Sequence, residues 1–180
     1  MIKLNAKELR TQEPNIEEIK RIKRNPIYII LDNVLDTYNI GSIFRLADAV
    51  AAEKIFLCGE TETPPNPRIK KASINTWKWV EWEYAMTAVS AIQKLKKQST
   101  INSQQLTIVA IEQNPKSITL KDFKPQFPLA IVVGNETYGV SEEVLKIADQ
   151  IVELPMFGVN KSLNVMVSCG IVLYKIIEFL

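Results

Sequence analysis

Short runs rich in valine, isoleucine and leucine alternate with stretches of helical period along most of the chain, and this alternation narrows the possible folds more than any other feature. The runs are Ile27 to Leu31, Lys54 to Cys58, Val80 to Glu83, Leu106 to Ile111, Leu129 to Val133 and Ile151 to Leu154. Most are continuous rather than alternating in hydrophobicity, as strands buried on both faces of a parallel sheet require. Between them, Ile40, Ile43, Phe44, Ala47, Val50 and Ala51 make the stripe of an amphipathic helix. Thr87 to Lys97 repeats the pattern with Val89, Ile92 and Leu95 inward. Ser141, followed by Glu142 and Glu143, opens a third helix through Ala148, because acidic groups are favoured in a first turn. The expected fold is α/β, a doubly wound, mostly parallel sheet of about six strands flanked by helices. The proline-rich stretch Thr63 to Pro67 reads as a loop.

At 180 residues the chain is expected to form a single domain over residues 26–180, preceded by a short basic segment, residues 1–25. In that segment Lys20, Arg21, Lys23 and Arg24 follow Glu17 and Glu18. They read either as a solvated helix end or as a phosphate-contacting patch. The total charge cannot decide between the two, because 22 basic against 20 acidic residues leave a net of only +2.

There is no histidine, which removes Ser-His-Asp and Cys-His dyads and the HExxH metalloproteases together. Cys58 and Cys169 lie in apolar runs without CxxC spacing, so neither a disulfide framework nor a zinc site is expected. The opening MIKLNAKELR lacks the apolar core of a secretory signal. Leu163 to Leu180 approaches spanning length but contains Asn164, Ser168, Lys175 and Glu178, which favours a buried helix. A reducing, cytoplasmic setting is the resulting expectation.

Three loops follow strands and are rich in hydrogen-bonding groups and glycine: Asp32 to Gly41, Gly134 to Ser141 and Pro155 to Asn164. In an open parallel sheet, ligands bind outside the carboxyl ends of the strands, so these loops are expected to converge on one pocket. No GxxxxGK[ST] and no GxGxxG is present, which withdraws support from a P-loop nucleotidase and from a conventional dinucleotide dehydrogenase. The polar set in and beside the loops is Asn39, Arg45, Glu136, Ser162 and Asn164. Such a set can position and polarise but is poorly equipped for covalent or metal-assisted catalysis. Asp32 and Asp36 read as turn and capping carboxylates, and no metal is expected. Plain structural readings exist for the others: Asn39 and Ser162 as helix N-caps, Glu136 in a turn, Asn164 in a first turn.

NIGSIFR, from Asn39 to Arg45, resembles the N-x-G-x-x-x-R first motif of the SpoU/TrmH family of RNA ribose 2'-O-methyltransferases, within the SPOUT superfamily. VVGNETYGVS, from Val132 to Ser141, is similar to the second motif, and LPMFGVNKSLNVMVS, from Leu154 to Ser168, to the third. The resemblance runs from about Pro26 to the C-terminus, with Asn135 in place of the Ala or Ser common before the motif glutamate. It implies an α/β fold with a C-terminal trefoil knot, S-adenosylmethionine as cofactor, tRNA or rRNA as substrate, and a homodimer whose sites use residues of both subunits. By position it implies cofactor contacts from Gly134, Leu154, Met156 and Leu163. It likewise implies catalytic or RNA-placing roles for Asn39, Arg45, Glu136, Ser162 and Asn164, Arg45 being linked to activation of the ribose hydroxyl. Two alternatives stay open at this point: a non-catalytic RNA-binding relative of the same fold, and a small-molecule nucleotide-binding enzyme of ordinary open-sheet topology.

The chemistry agrees with the resemblance. Methyl transfer from a sulfonium to an oxygen is an in-line displacement that needs alignment and help in losing a proton, and neither metal nor imidazole. A guanidinium is ordinarily too basic to accept that proton, so a purely electrostatic role is the plainer reading for Arg45. The last helix carries apolar residues on nearly every side, among them Leu163, Val167, Ile171 and Ile176, more than one sheet would cover.

Overall fold

The computed structural model describes residues 3–11, 14–101 and 105–180. Two short helices, α1 (Glu8–Thr11) and α2 (Ile16–Lys20), lead into alternating strands and helices. These are β1 (Asn25–Asp32), α3 (Thr37–Ala49), β2 (Ala52–Cys58), α4 (Pro67–Ser73), β3 (Trp82–Ala85), α5 (Ala88–Ile101) and β4 (Thr107–Ile111). There follow β5 (Ile118–Thr119), β6 (Leu129–Gly134), α6 (Glu142–Ile147), β7 (Gln150–Glu153) and α7 (Val165–Ile177).

The strands form one seven-stranded sheet in the order β3-β2-β1-β6-β4-β7-β5, and each pairing is parallel. The seventh strand, β5, is only two residues long and sits at the edge, too short to leave a period in the sequence. Continuous apolar runs follow from burial on both faces. In β1, Ile27, Ile29 and Leu31 pack with α3, α4 and α7, while Ile30 packs on the opposite side with α5 and α6. One face uses Ile40, Ile43, Phe44 and Ala47 of α3 with Cys169, Val172, Leu173 and Ile176 of α7; the other uses Ala91, Ile92 and Leu95 of α5. This is the expected helix-sheet-helix sandwich.

Several boundaries differ from the sequence expectation for local reasons. The strand expected at Val80 begins at Trp82, because Trp79 N–H donates to Thr76 O to close a 3-10 turn and Val80 N–H is spent on the same oxygen. The proline-rich loop ends at Asn66: its side chain caps Arg68 and Ile69, and Pro67 is the first residue of α4, a position where its missing N–H costs nothing. Asp36, not Asn39, caps α3, accepting from Tyr38 N at 2.7 Å. Asn164, not Ser162, caps α7, accepting from Met166 N at 2.9 Å and Val167 N at 3.3 Å. Ser141 occupies the N-cap position of α6 without a side-chain cap bond; its N–H donates to Asp32 instead. Among the described residues, no helix is long and apolar enough to cross a membrane.

Candidate functional site

Because every pairing is parallel, the carboxyl ends of β1, β6, β4 and β7 open on one edge of the sheet, and the three loops leave from that edge. A cleft of about 460 Å³ lies there, a size that suits a nucleoside-sized ligand. Its walls include Gly134, Glu136, Leu154, Met156, Ser162, Leu163 and Asn164. All four residues expected to hold a cofactor therefore line one cavity, and so do three of the five expected at the reaction centre. Asn39 and Arg45 do not line it.

Asn39 joins the site through hydrogen bonds. Its Nδ2 donates to Glu136 Oε1 at 2.9 Å, across 97 residues of chain. Its Oδ1 accepts from Asn164 Nδ2 at 3.0 Å, across 125 residues. Glu136 also accepts from Leu35 N through Oε2 and from Asp36 N through Oε1, each at 3.1 Å. One carboxylate thus clasps the first loop to the second, and one asparagine extends the clasp to the cap of α7. Burial pulls the Glu136 carboxyl upward, but the bonds from Asn39, Leu35 and Asp36 outweigh it and hold the group below its ordinary value. Glu136 is therefore an ionised anchor at neutral pH, its two oxygens engaged by three donors.

The five polar residues divide by what they have left to offer. Asn39 and Asn164 spend amide oxygen and nitrogen on each other, on Glu136 and on the α7 cap. Ser162 lines the cleft and is exposed; its N–H donates to Asn160 Oδ1 at 3.4 Å, while its hydroxyl has no partner among the described residues. Arg45 is exposed on α3 and makes neither ion pair nor hydrogen bond among the described residues. It stands six residues beyond Asn39, about 240° around a helix at 100° per residue, so it faces away from the clasp.

A second layer braces the turn after β6. Asn135 Oδ1 accepts from Thr137 N and Tyr138 N, and its Nδ2 donates to Asn33 O at 2.9 Å. Gly134 has to be glycine, because a Cβ there would stand 2.1 Å from the carbonyl carbon of Gly139. Gly139 has φ +72°, which glycine adopts without strain. Asp32 is buried and receives Ser141 N at 2.9 Å and Asn33 Nδ2 at 3.0 Å. Burial pushes the thiols of Cys58 and Cys169 up to about 12, with the Asp32 charge adding to the shift at Cys58, so neither is an available nucleophile.

Sequence reasoning missed the wall supplied by β4. Glu112 and Gln113 line the cleft; Glu112 Oε2 accepts from Val140 N at 2.9 Å, and Gln113 Nε2 donates to Lys161 O. No motif marks them, because their place follows from β4 lying between β6 and β7 in the sheet. Of the basic set, Lys20, Arg21 and Lys23 are exposed, with Lys20 paired to Glu17 at 3.1 Å. Arg24 is half-buried, its Nη2 donating to Trp79 O at 2.9 Å.

Comparison with known proteins follows the same outline. The SpoU rRNA Methylase family model matches residues 26–174. A tRNA (guanosine(18)-2'-O)-methyltransferase of Aquifex aeolicus is 30% identical over 163 residues, 89% of this chain and 72% of that protein. The crystal structure of the A. aeolicus TrmH/SpoU tRNA modifying enzyme superimposes with a TM-score of 0.75 at 29% identity, covering 94% of this chain and 79% of that one. The AdoMet-bound rRNA methyltransferase of Sinorhizobium meliloti gives 0.74 at 26% identity over 93% of this chain, which spans 58% of that protein.

Proposed function

The chain belongs to the SpoU rRNA Methylase family, and from that premise we propose that it transfers a methyl group from S-adenosylmethionine to a ribose 2'-hydroxyl of tRNA or rRNA. The observation that carries the reading is the clasp: Glu136, Asn39 and Asn164, one residue from each motif, are hydrogen-bonded in series at the rim of a single cleft.

The cleft fits the cofactor. Ile111, Val133, Leu154, Met156 and Leu163 offer an apolar lining, and the glycine-shaped turn at Gly134 and Gly139 leaves backbone groups at the wall. Gly134, Leu154, Met156 and Leu163 would hold S-adenosylmethionine largely by packing and main-chain contact. When bound, it supplies an electrophilic methyl group on a sulfonium. The protein's own residues then have two tasks. Asn39, Glu136 and Asn164 hold the three loops in register, which is positioning worth several kcal/mol when the reacting atoms must align. Ser162 and Arg45 keep free polar groups: the Ser162 hydroxyl can orient the incoming ribose, and the Arg45 guanidinium can stabilise the charge that develops as the ribose hydroxyl loses its proton.

Arg45 does not line the cleft described above, and this favours a homodimer. Helix α7 buries Cys169, Val172, Leu173 and Ile176 in the core while Val167, Ile171 and Tyr174, 38%, 40% and 53% exposed, form a second apolar stripe on it. Gly170 of α7 packs against Leu46, the neighbour of Arg45, so a partner seated on that stripe lies beside Arg45. The reading also carries the family's C-terminal knot over to the segment from β7 to α7.

Incubation with labelled S-adenosylmethionine and bulk tRNA or rRNA tests the function. Methylation mapped to a ribose 2'-oxygen is expected. Methyl transfer to a base, or binding of RNA with no transfer, overturns it in favour of another activity or of a non-catalytic relative. Light scattering tests the dimer, and a monomer mass at micromolar concentration counts against it.

A further inference from the structure

Two stretches hold four cations each without an acidic residue. Residues 19–29 contain Lys20, Arg21, Lys23 and Arg24 and no acidic residue; residues 63–80 contain Arg68, Lys70, Lys71 and Lys78 and again none. The whole chain nets only +2, so outside these stretches it is net negative.

The fold joins the two. Arg24 Nη2 donates to Trp79 O, and Asn75 Nδ2 donates to Leu9 O, each at 2.9 Å. The chain before β1 is thereby fastened at two points to the turn that follows α4. Lys70 and Lys71 stand at that same end, since Lys70 O accepts from the cap N–H of Ile74. Arg24 serves as the fastener, and Lys20, Arg21, Lys23, Arg68, Lys70 and Lys71 remain exposed. The Lys20–Glu17 pair is itself exposed, and such pairs are weak enough for a phosphate to replace.

Helix α4 is in turn pressed against the reactive helix. A Cβ on Gly41 would lie 2.6 Å from Ala72 Cβ and 2.8 Å from Ile69 O, so glycine at this position lets α4 seat directly on α3. Gly41 is two residues from Asn39 and one turn before Arg45.

We propose that the exposed cations of α4, Arg68, Lys70 and Lys71, form with Lys20, Arg21 and Lys23 a single phosphate-binding track that leads the RNA backbone to Arg45. The proposal rests on the RNA methyltransferase reading above and names the surface that reading lacks. Phosphate contacts supply most sequence-independent affinity and fix register on the strand. A protein of near-zero net charge gains that attraction by setting several cations side by side, here on α4 and on the segment fastened beside it.

The test compares two triple variants in the full-length protein. Arg68→Gln/Lys70→Gln/Lys71→Gln removes the track on α4; Lys116→Gln/Lys121→Gln/Lys124→Gln removes as many exposed cations near β5, at the opposite edge. The α4 variant is expected to weaken binding of bulk tRNA roughly tenfold or more at 0.1 M salt and to flatten the log–log salt slope by about two. Its affinity for S-adenosylhomocysteine, read by calorimetry, is expected to stay at the parental value, which shows the fold intact. The β5-edge variant is expected to change the slope little. Equal slopes for the two variants overturn the track, as does an α4 variant that loses dimer mass in light scattering while keeping RNA affinity, which would make α4 a subunit contact. A parent protein that binds no RNA overturns the methyltransferase reading itself, a result separate from the variant comparison.

Discussion

The turn after β6 and the loop after β7 both face the cleft, yet they are built in opposite ways. From Gly134 to Ser141 the chain is tied to its surroundings at several points: Asn135 bonds its own turn and Asn33, Glu136 holds the first loop, and Ser141 N meets Asp32. From Met156 to Leu163 the chain is open: Phe157 is 96% exposed and Gly158 has nothing within 4 Å of a built Cβ. Apart from the Gln113 contact to Lys161 O, few bonds tie that loop down. The difference separates two tasks. The rigid wall presets the geometry that an in-line transfer needs, and the open wall leaves surface that the proposed cofactor and partner subunit would cover.

Substitutions at the two walls should therefore differ in scale. Gly134→Ala drives a Cβ into the Gly139 backbone, which has no side chain to swing aside, and is expected to cost about 3 kcal/mol or more in chemical denaturation. A loss below about 1 kcal/mol would mean that the wall yields and is not rigid.

Next comes a residue outside both walls. Arg45→Ala is expected to lower turnover on the order of a hundredfold while leaving S-adenosylmethionine affinity near the parental value. Arg45→Lys should recover little of it, because an ammonium lacks the planar fork. Parental turnover in the alanine variant would return Arg45 to an ordinary surface residue.

Glu136→Gln puts an amide N–H₂ group among donors that now share a carboxylate, and a loss of about 1–3 kcal/mol is expected. The sign of its pH dependence follows from the lowered value of the carboxyl. The clasp is fully present above the ordinary carboxylate range and is lost as pH falls through the depressed folded value. In the glutamine variant this acid-side loss should disappear from the stability profile. A profile unchanged from the parent would place the titration elsewhere.

The smallest effect belongs to the open wall. Gly158→Ala meets no atom and has no positive φ, so its stability should stay within about 0.5 kcal/mol of the parent. A large loss there would show that the loop is packed and erase the contrast.

Much of this molecule was legible in its residues, for a physical reason. Continuous Val/Ile runs and 3.6-residue stripes are local patterns dictated by burial, so the six longer strands, helices α3, α5 and α7, and the three polar loops could be read without neighbours. The motif resemblance placed Gly134, Leu154, Met156 and Leu163 together, and the cleft contains all four. Other features required the assembled sheet. The order that sets β4 between β6 and β7 brings Glu112 and Gln113 into the wall. Bonds across 97 and 125 residues turn Asn39 and Asn164 into holders of the site, while Arg45 is left outside it. A hydrogen bond depends on where two groups meet in space, and chain-local patterns carry no record of that meeting, so which polar residues are spent and which stay free was decided by tertiary structure alone.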